Sequence, residues 1–218
     1  MLSTALLSTP QKEHARYLVD VELDTLAEPV RSQARTLGLA QVSDLIAVTD
    51  GGNGLEEALQ RPLAEDLTTI LDWYPAAEHL CAFAKVWHTH DDEARSPWQQ
   101  GAKSILYEQG GEALLAYLGA LALPSGASAA VPEELRKLIG YFENNRPRTD
   151  YPSYRHKGWD IGSGPTEAGC QIIGERLKGS GLRWVEDGAA TVAALRALYV
   201  SGRNLWDGFW AQPHRPAA

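Results

Sequence analysis

Residues 45–72, LIAVTDGGNGLEEALQRPLAEDLTTILD, contain two short apolar runs that are each followed directly by an aspartate. Leu45–Thr49 and Leu67–Leu71 are bounded by polar residues, which is typical of strands buried on both faces. The segment between them is long enough for a crossover connection, so we predict that the two strands are parallel. Asp50 and Asp72 should then lie at the same edge of the sheet, because functional groups of open α/β sheets gather at the carboxyl ends of the strands.

The rest of the chain is predicted to be rich in helices. Residues 1–90 alternate strand and helix patterns, residues 91–144 show helix patterns only, and residues 145–218 join a basic, aromatic loop to two helices. We therefore predict a helix-rich α/β fold with an all-helical stretch at residues 91–144. The predicted elements are a strand at Tyr17–Glu22, helices at Leu26–Leu37, Leu55–Leu59, from Pro75 onward, and at Trp98–Glu108, Glu112–Leu121 and Glu133–Glu143, an extended connection at Asn145–Gly164, and helices at Pro165–Lys178 and Glu186–Arg203.

Composition narrows the class of protein. The chain has 218 residues, of which 44% are apolar, and this suffices for a buried core. No run approaches the roughly 18–20 apolar residues of a membrane helix, and MLSTALLSTP at the start lacks the features of a signal peptide. Cys81 and Cys170 lie far apart and outside any C-x-x-C pattern, so we expect no disulfide framework, no zinc site and a cytoplasmic location.

The charge of the chain is unevenly distributed. Residues 1–145 carry 10 Lys and Arg against 21 Asp and Glu, a net charge of −11, whereas residues 146–218 carry 10 against 7, a net charge of +3. The total of −8 argues against a general nucleic-acid binder, but a basic C-terminal part can still bind phosphates locally.

Glu167 is a third candidate acid. In IGSGPTEAGC (161–170), Gly164 is predicted as the N-cap of a helix, with Glu167 at the third helical position. Helical spacing places Glu167 and Lys178 on one polar face. The predicted apolar face of this helix carries Cys170, Ile173 and Leu177.

Three carboxylates gathered in this way would suit phosphodiester chemistry. Mg²⁺ prefers hard oxygen ligands, and two such ions about 4 Å apart stabilise both the attacking and the leaving oxygen of a phosphoryl transfer. The pattern therefore predicts a site for Mg²⁺ or Mn²⁺ at the strand ends, with the helix of Glu167 completing it. Each acid also has a structural interpretation, since Asp50 and Asp72 fit turn or helix-cap positions and Glu167 fits a first helical turn.

Basic and aromatic residues alternate ahead of this helix. Arginine and lysine neutralise phosphates, and aromatic rings stack on exposed bases, so the pattern predicts DNA contacts. The alternative is a polar loop whose tyrosines pack on the core. The predicted DNA-binding cations are Arg146, Arg148, Arg155, Lys157, Lys178 and Arg183, and the interleaved aromatic residues are Tyr151, Tyr154 and Trp159.

Longer motifs carry a family resemblance. DWYPAAEHL (72–80) follows a D-G-x-x-G-L turn (50–55), and R-x-D-Y-P-x-Y-R, G-W-x-I-G-S-G-P-T-E-A-G-C and R-L-K-G-S-G-x-R-W occur in order within residues 148–184. The set resembles the ISKra-type insertion-sequence transposases, relatives of the Mutator-like group, from about Tyr17 to Trp210. The resemblance implies a partial RNase H-like core in residues 1–90, a helical insertion in 91–144, and a basic loop with the catalytic helices in 145–218.

The resemblance also implies a chemistry. In these DDE transposases three acids bind two divalent cations and drive DNA cleavage and strand transfer. The second acid matches Asp50 and the last matches Glu167, while Asp72 matches the acid of a D-x-x-H signature and is expected to have a supporting role. The histidine of that signature is Pro75 here, and His79, one helical turn later, is the remaining supporting candidate.

The first acid of the family lies in a D-G-T-like segment that is expected upstream of these residues. Asp20 and Asp24 are the early candidates, and neither is followed by matching residues. We therefore expect weak or no cleavage by this chain alone. It is interpreted either as the C-terminal part of a transposase, acting on transposon ends with further copies or with a full-length transposase, or as an inactive remnant that binds DNA or a full-length transposase as a regulator. An unrelated phosphate enzyme with an anion site at residues 162–165 is the third alternative.

Overall fold

The computed structural model describes residues 3–9, 15–20, 23–38, 41–51, 67–89, 91–124, 126–178 and 181–212. They form two compact units. The first unit takes its described residues from 1–45 and 164–218, with Leu67, and the second takes them from 46–51 and 68–163.

The described residues contain four strands, eight α-helices and one 3₁₀ helix, which make the chain helix-rich with a small parallel sheet of α/β type. None of these helices is both long and apolar enough to cross a membrane. In chain order the elements are β1 (Ser3–Leu7), β2 (Arg16–Asp20), α1 (Leu23–Thr36), β3 (Leu45–Thr49), β4 (Leu67–Leu71), α2 (Trp73–Trp87), α3 (Asp92–Gly119), α4 (Ala130–Asn144), the 3₁₀ helix (Arg146–Arg148), α5 (Tyr151–His156), α6 (Gly164–Leu177), α7 (Glu186–Ser201) and α8 (Arg203–Ala211).

The first unit is built on the pair β1–β2, which is antiparallel with Ser3 opposite Asp20 and Leu7 opposite Arg16. Helix α1 packs on both strands, and α7 packs on β2. Helix α6 packs on α7. Tyr17 links β2 to the end of α7, since its N–H donates to Ser201 Oγ at 2.8 Å. Strand β2 confirms the strand predicted at Tyr17–Glu22, whereas β1 was not predicted.

The fit of α6 against this pair differs from the sequence prediction. Ile173 is buried and Leu177 is half-buried, as expected, but Cys170 is exposed. Gly169 faces inward instead, because a Cβ there would lie 1.9 Å from the Tyr17 ring. A contact between residues so far apart in sequence cannot be read from helical spacing.

The second unit holds the sheet of β3 and β4, whose bounds match the predicted strands. Helix α2 begins at Trp73, two residues before the predicted start, and packs on α3 and α4. Helix α3 is interrupted at Gly110, where φ is +84° and ψ is 179°, so its two halves correspond to the two helices predicted on either side. The buried core of this unit includes Ile70, Leu80, Leu106, Leu114, Leu118, Phe142 and Tyr151.

The segment predicted as an extended connection, Asn145–Gly164, is partly helical. It contains the 3₁₀ helix and α5, which begins after the N-cap Asp150. A third helix, α8, follows the two predicted C-terminal helices. Gly202, at φ +139°, separates it from α7. The short helix predicted at Leu55–Leu59 lies outside the described residues.

Candidate functional site

The carboxyl ends of β3 and β4 lie side by side in the second unit. The N–H of Asp72 donates to the carbonyl oxygen of Thr49 at 2.7 Å, so the residues that follow the two strands are neighbours. Asp50 is exposed, whereas the side chain of Asp72 is buried and only 2% exposed. The structure thus places two of the predicted acids at one sheet edge, in different surroundings.

Asp72 is held by a set of hydrogen bonds. It is the N-cap of α2, where Oδ1 accepts from the N–H of Tyr74 at 3.0 Å. Oδ2 accepts from the N–H of Ser163 at 3.3 Å and also from the hydroxyl of Ser163. A buried carboxylate needs such donors, since an unpaired one would be costly to desolvate. The contacts of Asp72 therefore match the helix-cap role predicted for it.

Asn145 links the sheet edge to the end of α4. It is buried, its Nδ2 donates to the carbonyl oxygen of Tyr141 at 2.8 Å, and its Oδ1 accepts from Arg148 Nη2. Gly51, at φ +79°, allows the turn after Asp50 to approach closely, because a Cβ there would lie 3.1 Å from Asn145 Oδ1. Asn145 therefore belongs to the cluster at the strand ends.

Tyr141 adds a phenol to this cluster. The ring of His79 packs against the ring of Tyr141, with the two centroids 3.9 Å apart. Burial, together with the negative charge of Asp50, raises the pKa of Tyr141 to about 12, so its hydroxyl stays protonated at neutral pH. Partial burial lowers the pKa of His79, although the charge of Glu78 opposes this shift.

Asn145, Tyr141 and Ser163 were not predicted as site residues from the sequence. The D-G pair at Asp50–Gly51 indicated a tight turn, but nothing in the sequence shows which side chain the turn meets. Ser163 precedes the helix of Glu167 within the quoted motif, and its contact with Asp72 spans 91 residues. Only long-range packing brings these groups together.

Glu167 lies in the first turn of α6 and is exposed. It belongs to the first unit, whereas Asp50 and Asp72 belong to the second. Among the described residues no three His, Cys, Asp or Glu side chains converge as a metal-binding group. Asp20 ends β2, and Asp24 lies in α1.

Residues 146–159 are called the basic segment below. The aromatic residues predicted there to contact DNA lie largely in the core. Tyr151 is fully buried and donates to the carbonyl oxygen of Leu71 at 3.0 Å, and Tyr154 is nearly buried. Trp159 is half-buried and stacks on Tyr154, with the centroids 5.9 Å apart. For the two tyrosines the structure therefore supports the core-packing alternative over base stacking.

Of the basic residues of this segment, Arg146, Arg155 and Lys157 are exposed and Arg148 is half-buried, and their contacts lie within the second unit. Arg146 forms an ion pair with Glu112 at 3.0 Å. Arg155 lies over the ring of Tyr107, 3.6 Å from its centroid, and donates to the Tyr107 carbonyl oxygen at 3.1 Å. Lys157 lies over the Trp159 ring, Arg148 contacts Asn145 as described, and in the first unit Lys178 and Arg183 are exposed.

Comparisons with known proteins found no relative, since the chain matches no protein-family model, no curated protein and no solved structure.

Proposed function

We propose that this chain is the C-terminal portion of a metal-dependent DDE transposase with an RNase H-like core, and that it cleaves DNA weakly or not at all by itself. The observation that carries the proposal is the sheet edge where Asp50 and Asp72 follow neighbouring parallel strands, Asp50 exposed and Asp72 held by three donors. The ordered motifs of residues 148–184 and their resemblance to ISKra-type transposases support it further.

Asp50 in the second unit and Glu167 in the first unit are each proposed as a ligand of Mg²⁺ or Mn²⁺, because both are exposed carboxylates and such hard oxygen donors suit these ions. When bound, the cations polarise the phosphoryl oxygen and activate the attacking water or 3′-hydroxyl. The donor type suits these ions, but among the described residues no three such side chains converge as a metal-binding group. We therefore expect this chain alone to bind the cations weakly and to show little activity.

Asp72 serves this proposal as a supporting residue. Two of its donors come from Ser163 and one from Tyr74, so its lone pairs are largely occupied. It fixes the first turn of α2 and the residue that precedes α6. His79 supports the same edge through its contact with Tyr141.

DNA is the proposed partner. The exposed cations of the basic segment would neutralise phosphates and would position a transposon end without reading its sequence. Further copies of this chain or a full-length transposase are proposed as protein partners, in the cytoplasm at the nucleoid. The proposed DNA-binding residues are Arg146, Arg148, Arg155, Lys157, Lys178 and Arg183.

The proposal is tested by nicking of supercoiled plasmid DNA in Mg²⁺ and in Mn²⁺. The chain is assayed alone and together with the polypeptide encoded directly upstream of its reading frame. We expect metal-dependent nicking with the upstream polypeptide, and we expect Asp50→Asn and Glu167→Gln each to reduce it by at least about a hundredfold. Glu133→Gln, which alters an exposed acid on α4, is the matched control and should leave nicking unchanged.

The outcomes separate this proposal from the alternative, an inactive remnant that binds DNA or a full-length transposase as a regulator. Nicking that survives both Asp50→Asn and Glu167→Gln contradicts the assignment of the acids. DNA binding without nicking in any combination favours the regulator. Absence of both nicking and DNA binding rejects the two functions together.

A further inference from the structure

Helix α8 carries large apolar side chains that the fold leaves unburied. Leu205, Trp206, Phe209 and Trp210 share one face of the helix at helical spacing. The helix packs on α7, yet none of its residues is buried, and Phe209 and Trp210 are 40% and 47% exposed. Because an exposed apolar patch of this kind marks a surface that binds a ligand or a partner, this face is a candidate for binding.

Tyr199 extends the patch onto α7. It is 53% exposed, and its ring meets that of Trp206 at a right angle, with the two centroids 5.5 Å apart. The ring of Trp206 also meets that of Trp210, with the centroids 5.4 Å apart and the planes at 70°. Rings in edge-to-face contact do not cover one another completely, so the cluster presents aromatic surface to solvent.

A groove of about 250 Å³ lies beside these rings, within the first unit. At this size, below the roughly 300–1,000 Å³ of pockets that enclose a drug-sized ligand, it suits a flat group the size of a nucleobase. Helices α6, α7 and α8 each contribute to it. Its described lining consists of Arg176, Val192, Leu195, Arg196, Tyr199 and Trp206.

The charge of this groove is positive. Arg176 is exposed in the last turn of α6, and the guanidinium of Arg196 lies over an aromatic ring of the cluster, 5.4 Å from its centroid. No acid occurs among the described residues that line the groove. The neighbouring acids are held by other side chains, since Asp207 pairs with Arg203 at 3.6 Å and Glu175 accepts from a glutamine one helical turn earlier at 3.2 Å.

Aromatic rings beside arginines are the combination that binds single-stranded nucleic acid. An unpaired base stacks on an exposed ring, and the arginines neutralise the phosphates on either side of it. A purely apolar partner would leave the two arginines of the groove without an anion. A DNA duplex would leave the rings unused, because its bases already stack on one another.

We propose that the groove of α6, α7 and α8 binds single-stranded DNA, with an unpaired base stacked on Tyr199 or Trp206 and the flanking phosphates bound by Arg176 and Arg196. The inference goes beyond the proposed function and rests on it only in the choice of DNA over RNA. It assigns to the first unit a binding surface that requires neither a divalent cation nor the basic segment.

Fluorescence anisotropy with labelled oligo(dT), measured in EDTA, tests the stacking. Tyr199→Ala should weaken the affinity by about tenfold, as loss of one stack between a base and an aromatic ring does. Tyr199→Phe keeps the ring, so it is the matched control and should bind as the unmodified chain does. Circular dichroism checks that both variants fold, and equal affinities of Tyr199→Ala and the unmodified chain overturn the inference.

Arg176→Ala tests the phosphate contact at an exposed side chain. We expect the slope of log affinity for oligo(dT) against log salt to fall by about 0.7, the change for one phosphate contact on a single strand. Arg35→Ala removes an exposed cation on α1 of the same unit and should leave the slope unchanged. Equal slopes in the two variants overturn the phosphate contact, because the effect would then follow net charge alone.

Photocrosslinking of the unmodified chain locates the bound base without any variant. Single-stranded DNA carrying 5-bromodeoxyuridine is irradiated with the protein, and mass spectrometry identifies the crosslinked residues. We expect crosslinks on Tyr199 or Trp206. Crosslinks confined to the basic segment overturn the inference.

The remaining outcomes separate this inference from the proposed function. Absence of oligo(dT) binding by the unmodified chain overturns the inference and leaves the nicking proposal standing, since the nicking assay uses duplex plasmid. Tighter binding of oligo(rU) than of oligo(dT) overturns the choice of DNA. Self-association that Tyr199→Ala abolishes in analytical ultracentrifugation, with oligo(dT) binding unchanged, also overturns the inference, because the groove would then hold a second copy of the chain.

Discussion

At the scale of single residues, Asp72 shows how one carboxylate joins distant parts of the second unit. Its two oxygens accept from Tyr74 in the first turn of α2 and from Ser163, 91 positions further along the chain. N-cap acids are common, and the helix dipole also favours them. The second donor residue makes the carboxylate a tertiary link in addition to a cap.

Replacing Asp72 by alanine should therefore lower the free energy of unfolding by more than the loss of a helix cap alone would. We expect Asp72→Ala to lower the free energy of unfolding by about 2–4 kcal/mol, since it removes a cap and two hydrogen bonds from the half-buried Ser163. Urea unfolding measures the change. The control is Asp91→Ala, which removes an exposed N-cap with one bond to Ala94 and should cost about 1 kcal/mol. Equal losses in the two variants would contradict the tertiary role of Asp72.

His79 should make the second unit sensitive to acid. Its pKa is lowered in the folded chain, so below the ordinary value of 6.5 the unfolded chain binds a proton that the folded chain does not. With respect to this histidine, the free energy of unfolding is therefore highest above pH 6.5. It declines as the pH falls from 6.5 to the lowered pKa of His79 in the folded state. Urea unfolding between pH 7.5 and 5 measures this decline.

Two variants check the source of that pH dependence. His79→Gln should flatten the decline, because no imidazole remains to titrate. Glu78→Gln should steepen it, since the charge of Glu78 raises the pKa of His79 and opposes the effect of burial. A decline that is unchanged in both variants would assign the acid sensitivity to other groups.

At the scale of elements, the break in α3 is set by backbone conformation. Gly110 has φ +84° and ψ 179°, a region that side chains with a Cβ rarely adopt. The N–H of Gly111 then donates to the carbonyl oxygen of Thr149 at 3.0 Å, outside the helix. The break therefore anchors the segment that leads into α5.

Gly110→Ala should destabilise the chain by about 1–3 kcal/mol, because alanine is strained at this φ and its Cβ would lie 3.3 Å from the Thr149 carbonyl oxygen. Gly101→Ala, in the regular part of the same helix, is the control. Its Cβ meets no atom within 4 Å, so it should stabilise the chain by about 0.5–1 kcal/mol. Thermal or urea unfolding compares the two, and a gain for Gly110→Ala would show that the break is not required.

Helix α5 lies within the extended connection predicted for residues 145–164. Asp150 caps it by accepting from the N–H of Ser153 at 3.4 Å, and Pro152 lies in its first turn. An N-cap acid followed by a first-turn proline is a helix start signal, so the helix could have been predicted. The Pro, Gly and Arg content of residues 145–164 favoured an extended connection instead.

At the scale of the whole molecule, the two units differ in the size of their buried cores, and the net charge of the chain is negative. The second unit has an extensive core, whereas the described core of the first unit comprises a small cluster of Ile173, Ala193 and Ala197 and the buried α1 residues Leu26, Val30 and Ala34. The net charge of −8 requires that DNA binding depend on local cations. The basic segment on α5 is the proposed source.

Combined Arg155→Ala and Lys157→Ala substitution should weaken DNA binding and lower the slope of log affinity against log salt by up to about 2. The matched control replaces Arg136 and Lys137 by alanine, which changes the net charge equally but lies on exposed ion pairs of α4. Fluorescence anisotropy over a salt titration measures the slopes, and circular dichroism checks folding because Arg155 packs on Tyr107. Identical slopes for both double variants would reject a specific role of the basic segment.

The sequence by itself determined the parts of this protein that depend on local patterns. Leu45–Thr49 and Leu67–Leu71 were predicted to the residue, because short apolar runs between polar residues have few other solutions. The helix predicted at Leu26–Leu37 with Gly38 at its end corresponds to α1, and Gly38 has φ +90°. The shared edge of Asp50 and Asp72 followed from strand direction alone.

Only the tertiary structure decided which groups surround that edge. The donors from Ser163 to Asp72, the ring contact of Tyr141 with His79 and the contact between Asn145 and the turn at Gly51 all join residues far apart in the chain. Local periodicity describes one element at a time and carries no information on which side chains of other elements it meets. Burial and hydrogen bonding across elements, which set the chemistry of this site, arise only when the core is packed.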